Sequence, residues 1–161
     1  MKIDLDMLSG PFFEAMKSSG AFLCVPGNVM TVGWAQLGWI WGKPIMTVLV
    51  RPSRHTYDII EACPEFTLSV PGKGQMKKQL AYAGSASGKD VNKFDFEGLT
   101  ALASRHVSAP VVAGCEVYAE CRSLYKRDMT EMFMSGEIVD KAYPSGDFHR
   151  MYFGEILDVY K

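Results

Sequence analysis

Pro44-Ile-Met-Thr-Val-Leu-Val50 runs straight into Arg51-Pro-Ser-Arg-His-Thr56. The first run is short, β-branched and apolar on both faces, the pattern of a fully buried strand. The second is polar and basic and stands before Tyr57, Ile60 and Cys63, whose spacing predicts a helix from Tyr57 to Ala62. Ser53 or Thr56 is placed to cap that helix. Free amides at a helix start favour an anion. Arg51 and Arg54 add rigid donor forks, and Ser53 and Thr56 add hydroxyls. This is what a phosphate site needs, although the stretch by itself also reads as a solvated turn with a capping serine and two surface arginines.

Strand signals recur on both sides of this stretch. Ala21 to Val25, Asn28 to Leu37, Phe66 to Val70, Val111 to Tyr125, Ile138-Val139 and Met151 to Tyr160 all read as strands, the fourth as one strand or a bent pair. Gly33 and Gly38 mark bulges or a close backbone approach. Helices are few. One starts at Ser9-Gly10-Pro11, because proline suits the first helical position, and ends at Ser18-Ser19-Gly20. Another covers Gln75 to Tyr82. Roughly seven strands with short helices between them predict a mainly β barrel rather than a doubly wound sheet. Neither a repeat nor a linker divides the 161 residues, so one domain over 1–161 is expected.

Composition narrows the function. Seventeen basic and eighteen acidic side chains leave a net charge of −1, and mean hydropathy is +0.01. This balance argues against disorder, and a pI near 6.3 argues against nucleic-acid binding by charge. A membrane span is not expected, since no apolar run approaches ~18 residues. Asp4 and Asp6 stand where a signal peptide would be basic and then apolar, so a cytoplasmic location is expected. Cys24, Cys63, Cys115 and Cys121 show neither a C-x-x-C nor a zinc spacing and are expected as free thiols. His55, His106 and His149 lack ligand spacing, so a metal site is not expected.

Three further stretches carry chemistry. Ser85-Ala-Ser-Gly-Lys-Asp-Val-Asn-Lys93 is polar and glycine-containing, and Lys73 to Lys93 holds five lysines against one acid, Asp90. It offers a second set of donors for the same anion, although the P-loop spacing is absent. Asn28-Val-Met-Thr-Val-Gly-Trp34 mixes amide, hydroxyl and apolar groups, the surface a flat heteroaromatic ring needs. His149, in Asp147-Phe-His-Arg-Met-Tyr-Phe-Gly-Glu155, opens the last strand. Trp34, Trp39, Ile40 and Trp41 add more aromatic surface than one small barrel wall covers, which points to an interface.

Taken in order, these four stretches resemble the flavin reductase-like family of FMN-binding split barrels, which includes flavoredoxin-like proteins. The resemblance runs from about Ala21 to Val159. Asn28, Val29, Met30 and Thr31 look like the family's segment against the flavin ring. Arg51, Pro52, Ser53, Arg54 and Thr56 look like its phosphate turn. Ser87, Gly88, Lys89 and Lys93 fall in a stretch similar to its S-G-x-D-x-x-K-F loop. His149 opens a stretch similar to its closing H-x-x-x-x-G-E-[IV] strand. The resemblance implies a six-stranded antiparallel Greek-key split barrel with a few short peripheral helices, a homodimer, and FMN as cofactor. It implies either an NAD(P)H-dependent flavin reductase, with NADH or NADPH as co-substrate, or an electron carrier that serves a redox protein partner. His149 would then sit where a nicotinamide stacks, as the candidate catalytic residue, with a charge that responds to pH near neutrality.

Overall fold

The computed structural model describes residues 3–161. Helix α1 (Leu5–Lys17) precedes strands β1 (Ala21–Val25), β2 (Asn28–Val32), β3 (Ala35–Ile40) and β4 (Lys43–Val50). Then come α2 (His55–Ala62), β5 (Glu65–Val70), α3 (Lys77–Ser85), β6 (Ala101–Leu102), β7 (Val111–Val112), β8 (Val117–Asp128), α4 (Gly136–Ala142) and β9 (Arg150–Tyr160). Seven strands form one antiparallel sheet in the order β2-β1-β5-β8-β9-β4-β3, and β6 pairs with β7 apart from it. The fold is therefore mainly β with a few helices, as expected. The main sheet has seven strands rather than the six that the resemblance implied.

The interior lies between the inner faces of these strands and α1. Leu23, Val48, Phe66, Leu68, Tyr152 and Ile156 pack there with Leu8 and Phe12. The opposite face of β1 and β2 is also covered: Phe22, Cys24 and Val29 meet Leu80, Ala83, Leu99 and Val112. This second layer is why β1 is buried along its whole length and α3 is held against β2. The last six residues of β4, Ile45 to Val50, are buried without alternation, as their composition predicts. At Gly154 an added Cβ would lie 2.7 Å from Phe66 Cε1, so only glycine lets β9 and β5 share this layer.

Several local expectations need correction. Helix α1 starts at Leu5, not Ser9, because the Asp4 carboxylate accepts from the Asp6 and Met7 amides at 3.1 and 3.2 Å and caps it. Pro11 lies inside the helix, where it leaves the Met7 carbonyl without its usual N–H partner. Ile138 and Val139 are helical: their amides bond the Ser135 carbonyl at 3.0 and 3.1 Å, and local bonds outweigh their β-branched preference. Of the two readings of Val111 to Tyr125, two strands rather than one are found: a turn with Gly114 at φ +82° separates β7 from β8. All four cysteines are free; Cys24 and Cys121 are buried, whereas Cys63 and Cys115 are half-buried. Among the described residues, no helix is long and apolar enough to cross a membrane.

Candidate functional site

The end of β4 and the start of α2 present the turn 51–54. Helix α2 begins at His55, and neither Ser53 nor Thr56 caps it: Arg54 holds the cap position without a side-chain bond. Thr56 is buried, and its Oγ1 accepts from Asn28 Nδ2 at 3.1 Å, which ties β2 to α2. The loop after α3 closes on the same place. A Cβ at Gly88 would fall on Asn28 Oδ1 and within 2.8 Å of His55 Cδ2. The close approach of this loop to Asn28 and His55 therefore requires glycine. The buried Nδ1 of His55 has no hydrogen-bond partner among the described residues. Thr31 Oγ1 donates to the Leu80 carbonyl at 2.5 Å and fixes β2 to α3.

The cations sort into two groups. Arg54 donates to the Gly84 carbonyl at 2.7 Å and the Ala83 carbonyl at 3.4 Å. Lys93 donates to the same Ala83 carbonyl at 2.8 Å and is only 3% exposed. Lys93 is therefore a fixed, buried ammonium. Burial and the neighbouring Arg54 guanidinium push it down to about 8, and burial lowers Arg54 as well. Among the described residues neither has a carboxylate within ion-pair distance. A half-buried guanidinium and a buried ammonium thus share one carbonyl beside the first amides of α2, a set of donors that favours an anion.

Arg51 departs from this group. Its guanidinium donates to the Ala142 and Asp147 carbonyls at 2.9 and 3.0 Å and lies over the Tyr143 ring at 4.9 Å. The expectation that both arginines converge on one anion is therefore overturned, because Arg51 is bonded to the Ala142 and Asp147 carbonyls and Arg54 to those of Ala83 and Gly84. Ser53 is engaged too. Its hydroxyl and amide donate to the Asp147 carboxylate at 2.5 and 3.3 Å, so an internal carboxylate already takes the donors expected to hold a phosphate. Pro52 is exposed in the turn. Ser87 Oγ accepts from the Lys89 amide, and Lys89 is exposed, 3.7 Å from Asp58. Val29 is buried in the α3 layer, leaving its backbone for any ligand.

His149 joins the site from β9. With Met30, Thr31, Trp34, Leu49 and Arg51 it lines a cleft of about 220 Å³. Its ring lies 5.3 Å from that of Trp34. Its Nδ1 is 2.7 Å from the Tyr143 hydroxyl. Burial and the Arg51 charge push it down to about 4, against the weaker pull of Asp147. The imidazole is thus neutral across the physiological range and does not titrate near neutrality as expected. Next to this cleft, Trp34, Leu49, Met129, Met134, Tyr143 and Met151 line a wider, largely apolar cavity of about 980 Å³. Three of the four stretches thus meet around Asn28 and Ala83, and the fourth lines one cleft with Met30, Thr31 and Trp34 through His149. Sequence reasoning did not single out Asp147 or Tyr143 as site residues; only the turn-forming Pro-Ser-Gly-Asp at 144–147 hinted at a fixed corner there.

Residues 24–160 match the family described as flavin reductase like domain. The chain belongs to the flavin reductase-like family. It is 31% identical over 132 residues to an uncharacterized protein of Archaeoglobus fulgidus, and 28% identical over 118 residues to the protein YddH of Escherichia coli. The first alignment covers 82% of this chain and 64% of the relative, the second 71% and 61%, so the chain spans under two thirds of either relative's length. Among solved structures, flavoredoxin of Desulfovibrio vulgaris is similar at 24% identity and a TM-score of 0.67, over 87% of this chain and 67% of that one. An FMN-binding protein of Thermus thermophilus reaches 21% and 0.67, over 88% and 68%. An NADH:FAD oxidoreductase of Streptomyces globisporus reaches 20% and 0.65, over 88% and 73%. These likenesses show the shared split-barrel fold.

Proposed function

We propose that residues 1–161 act as one FMN-binding unit and that the protein is an NAD(P)H-dependent flavin oxidoreductase. The observation that carries this reading is the pair Arg54 and Lys93 on the Ala83 carbonyl, a half-buried and a buried cation with no carboxylate partner among the described residues. A phosphate monoester, dianionic at neutral pH, is the anion such a pair favours. The close-packed Gly88 turn and the Asn28–Thr56 bond keep the floor of the site rigid. The family supports a flavin, and FMN places its single phosphate at these cations. Asn28, Met30, Thr31 and Trp34 offer backbone and apolar surface to the ring; Ser87, Gly88 and Lys89 close one side. A flavin held there would supply the redox chemistry, with a nicotinamide as hydride donor. His149 offers a neutral imidazole at the cleft, where it hydrogen-bonds an incoming group without adding charge.

Titration of the apoprotein by flavin fluorescence tests the phosphate reading. FMN is expected to bind at least tenfold more tightly than riboflavin, and equal affinities would overturn it. Anaerobic mixing of the FMN-loaded protein with NADH or NADPH tests the reaction. Bleaching of the flavin is expected, and His149→Ala is expected to slow it about tenfold with FMN affinity unchanged. If neither nucleotide bleaches the flavin, the electron-carrier reading takes its place.

A homodimer is also proposed. Trp39 and Trp41 are 64% and 58% exposed on the β3–β4 hairpin, beside exposed Tyr125. Such an aromatic patch at an edge strand favours pairing with a second copy. Sedimentation at micromolar concentration is expected to give twice the chain mass, and a monomer would refute the proposal.

A further inference from the structure

We propose that Tyr143 is the positioning residue of His149: its hydroxyl donates to Nδ1 and fixes the imidazole as the tautomer that carries its proton on Nε2, the nitrogen open to the cleft. The role in the reaction rests on the reading above; the tautomer does not. The Tyr143 hydroxyl has one proton and two acceptors within reach, His149 Nδ1 at 2.7 Å and Met129 Sδ at 3.3 Å. A thioether is a weak acceptor, so the proton goes to the imidazole nitrogen. Burial keeps the phenol protonated, because the phenolate is the form that burial penalises. Nδ1 is then an acceptor, and in a neutral ring Nε2 must hold the hydrogen.

The tyrosine is itself held from several sides. Phe148 stacks on it at 4.7 Å, Arg51 lies over its ring at 4.9 Å, and the edge of Trp34 approaches at 6.4 Å. The His149 backbone is pinned as well, since its carbonyl accepts from the Met129 amide at 2.9 Å. Nε2 makes no hydrogen bond to the described residues and is not sealed from solvent, and the ring lines the cleft with Met30, Thr31 and Trp34. The charged and titratable groups that act on the imidazole are Arg51, which disfavours its protonation, Asp147, which favours it, and Tyr143 itself. The result is a fixed neutral N–H donor aimed into the cleft.

Tyr143→Phe keeps the ring and the stacking and removes only the hydroxyl. In nitrogen-15 NMR of the FMN-loaded protein, wild-type His149 is expected to show the Nε2–H tautomer down to about pH 5. In Tyr143→Phe the two tautomers are expected to mix, and the titration to move up from about 4 toward the ordinary histidine range, because a bond to the neutral form is lost. Anaerobic flavin reduction is expected to slow about fivefold at pH 7 and to gain an acid limb between about pH 5 and 7, with FMN affinity changed less than twofold. An Nδ1–H tautomer in the wild type, or a tautomer and titration unchanged in Tyr143→Phe, overturns the proposal. Absence of reduction in the wild type would sink the reductase reading, while the NMR result would still decide the role of Tyr143.

Discussion

Arg54→Ala is expected to weaken FMN binding ten- to a hundredfold and to leave riboflavin binding nearly unchanged. A hydrogen bond to a charged group contributes about 1.5–3 kcal/mol, and each 1.4 kcal/mol is about tenfold in affinity. The guanidinium is already ordered by the Gly84 and Ala83 carbonyls, so little side-chain entropy remains to be lost on binding. Lys93 adds a pH dependence. With its ammonium held down to about 8, FMN affinity falls as pH rises from 8 toward 10, while the phosphate stays dianionic. Apoprotein stability moves the other way. Between about 8 and the ordinary lysine value the unfolded chain keeps a proton that the folded chain has released, so stability rises with pH there. Fluorescence titrations and thermal melts across pH 7–10.5 read both trends. Unchanged affinity in Arg54→Ala would remove the proposed phosphate site.

Gly88→Ala is the second substitution expected to have a large effect. Its Cβ has no room beside Asn28 and His55, and the obstruction on one side is the buried Asn28 amide that holds Thr56. Either the 87–90 turn retreats or Asn28 gives up its bond. Overpacking of this kind costs about 1–3 kcal/mol. Because the turn, β2 and the start of α2 meet there, FMN affinity is expected to fall about tenfold and the melting temperature by roughly 2–12 °C. Gly38→Ala is the matched control: nothing lies within 4 Å of its added Cβ and its φ is ordinary, so both measurements should stay near wild type. Equal behaviour of the two variants would mean that the Gly88 contact does not shape the site.

Much of the fold is legible in the sequence because it is local. The Ile45–Val50 run is apolar on both faces, and its place between β3 and β9 buries it so. The convergence of the four stretches is legible in outline. What the sequence does not carry is where side chains go once the chain has folded. Arg51 and Arg54 stand three residues apart and read as one clamp. The carbonyls that separate them belong to residues 29 to 96 positions away. The Asp147 contact to Ser53 spans 94 residues, and its left-handed backbone at φ +56° has no signature beyond the adjacent Gly146. Lys93 reads as a loop lysine because nothing in its neighbours reveals the Ala83 carbonyl. His149 reads as a neutral-range titrating group, and only the burial and the Arg51 charge around it show otherwise. The β6–β7 ribbon is two residues long on each side, too short for any periodicity to announce.

The burial of the cysteines bears on chemical durability. Desolvation pushes the thiols of Cys24 and Cys115 up to about 12 and raises that of Cys121 further still. At pH 7 an acid of that strength exists as thiolate in only about one molecule in 10⁵, and the thiolate is the form that peroxide and electrophiles attack. Under the flavin chemistry proposed above, a reduced flavin that meets oxygen would generate such oxidants beside this core. Here the sheet that positions the site also keeps two of the four sulfurs out of solvent and three in their unreactive form. Oxidative wear is thereby directed to Cys63, at the end of α2 with Sγ 3.4 Å from Ser108 Oγ, where sulfenic acid would form outside the packed layers.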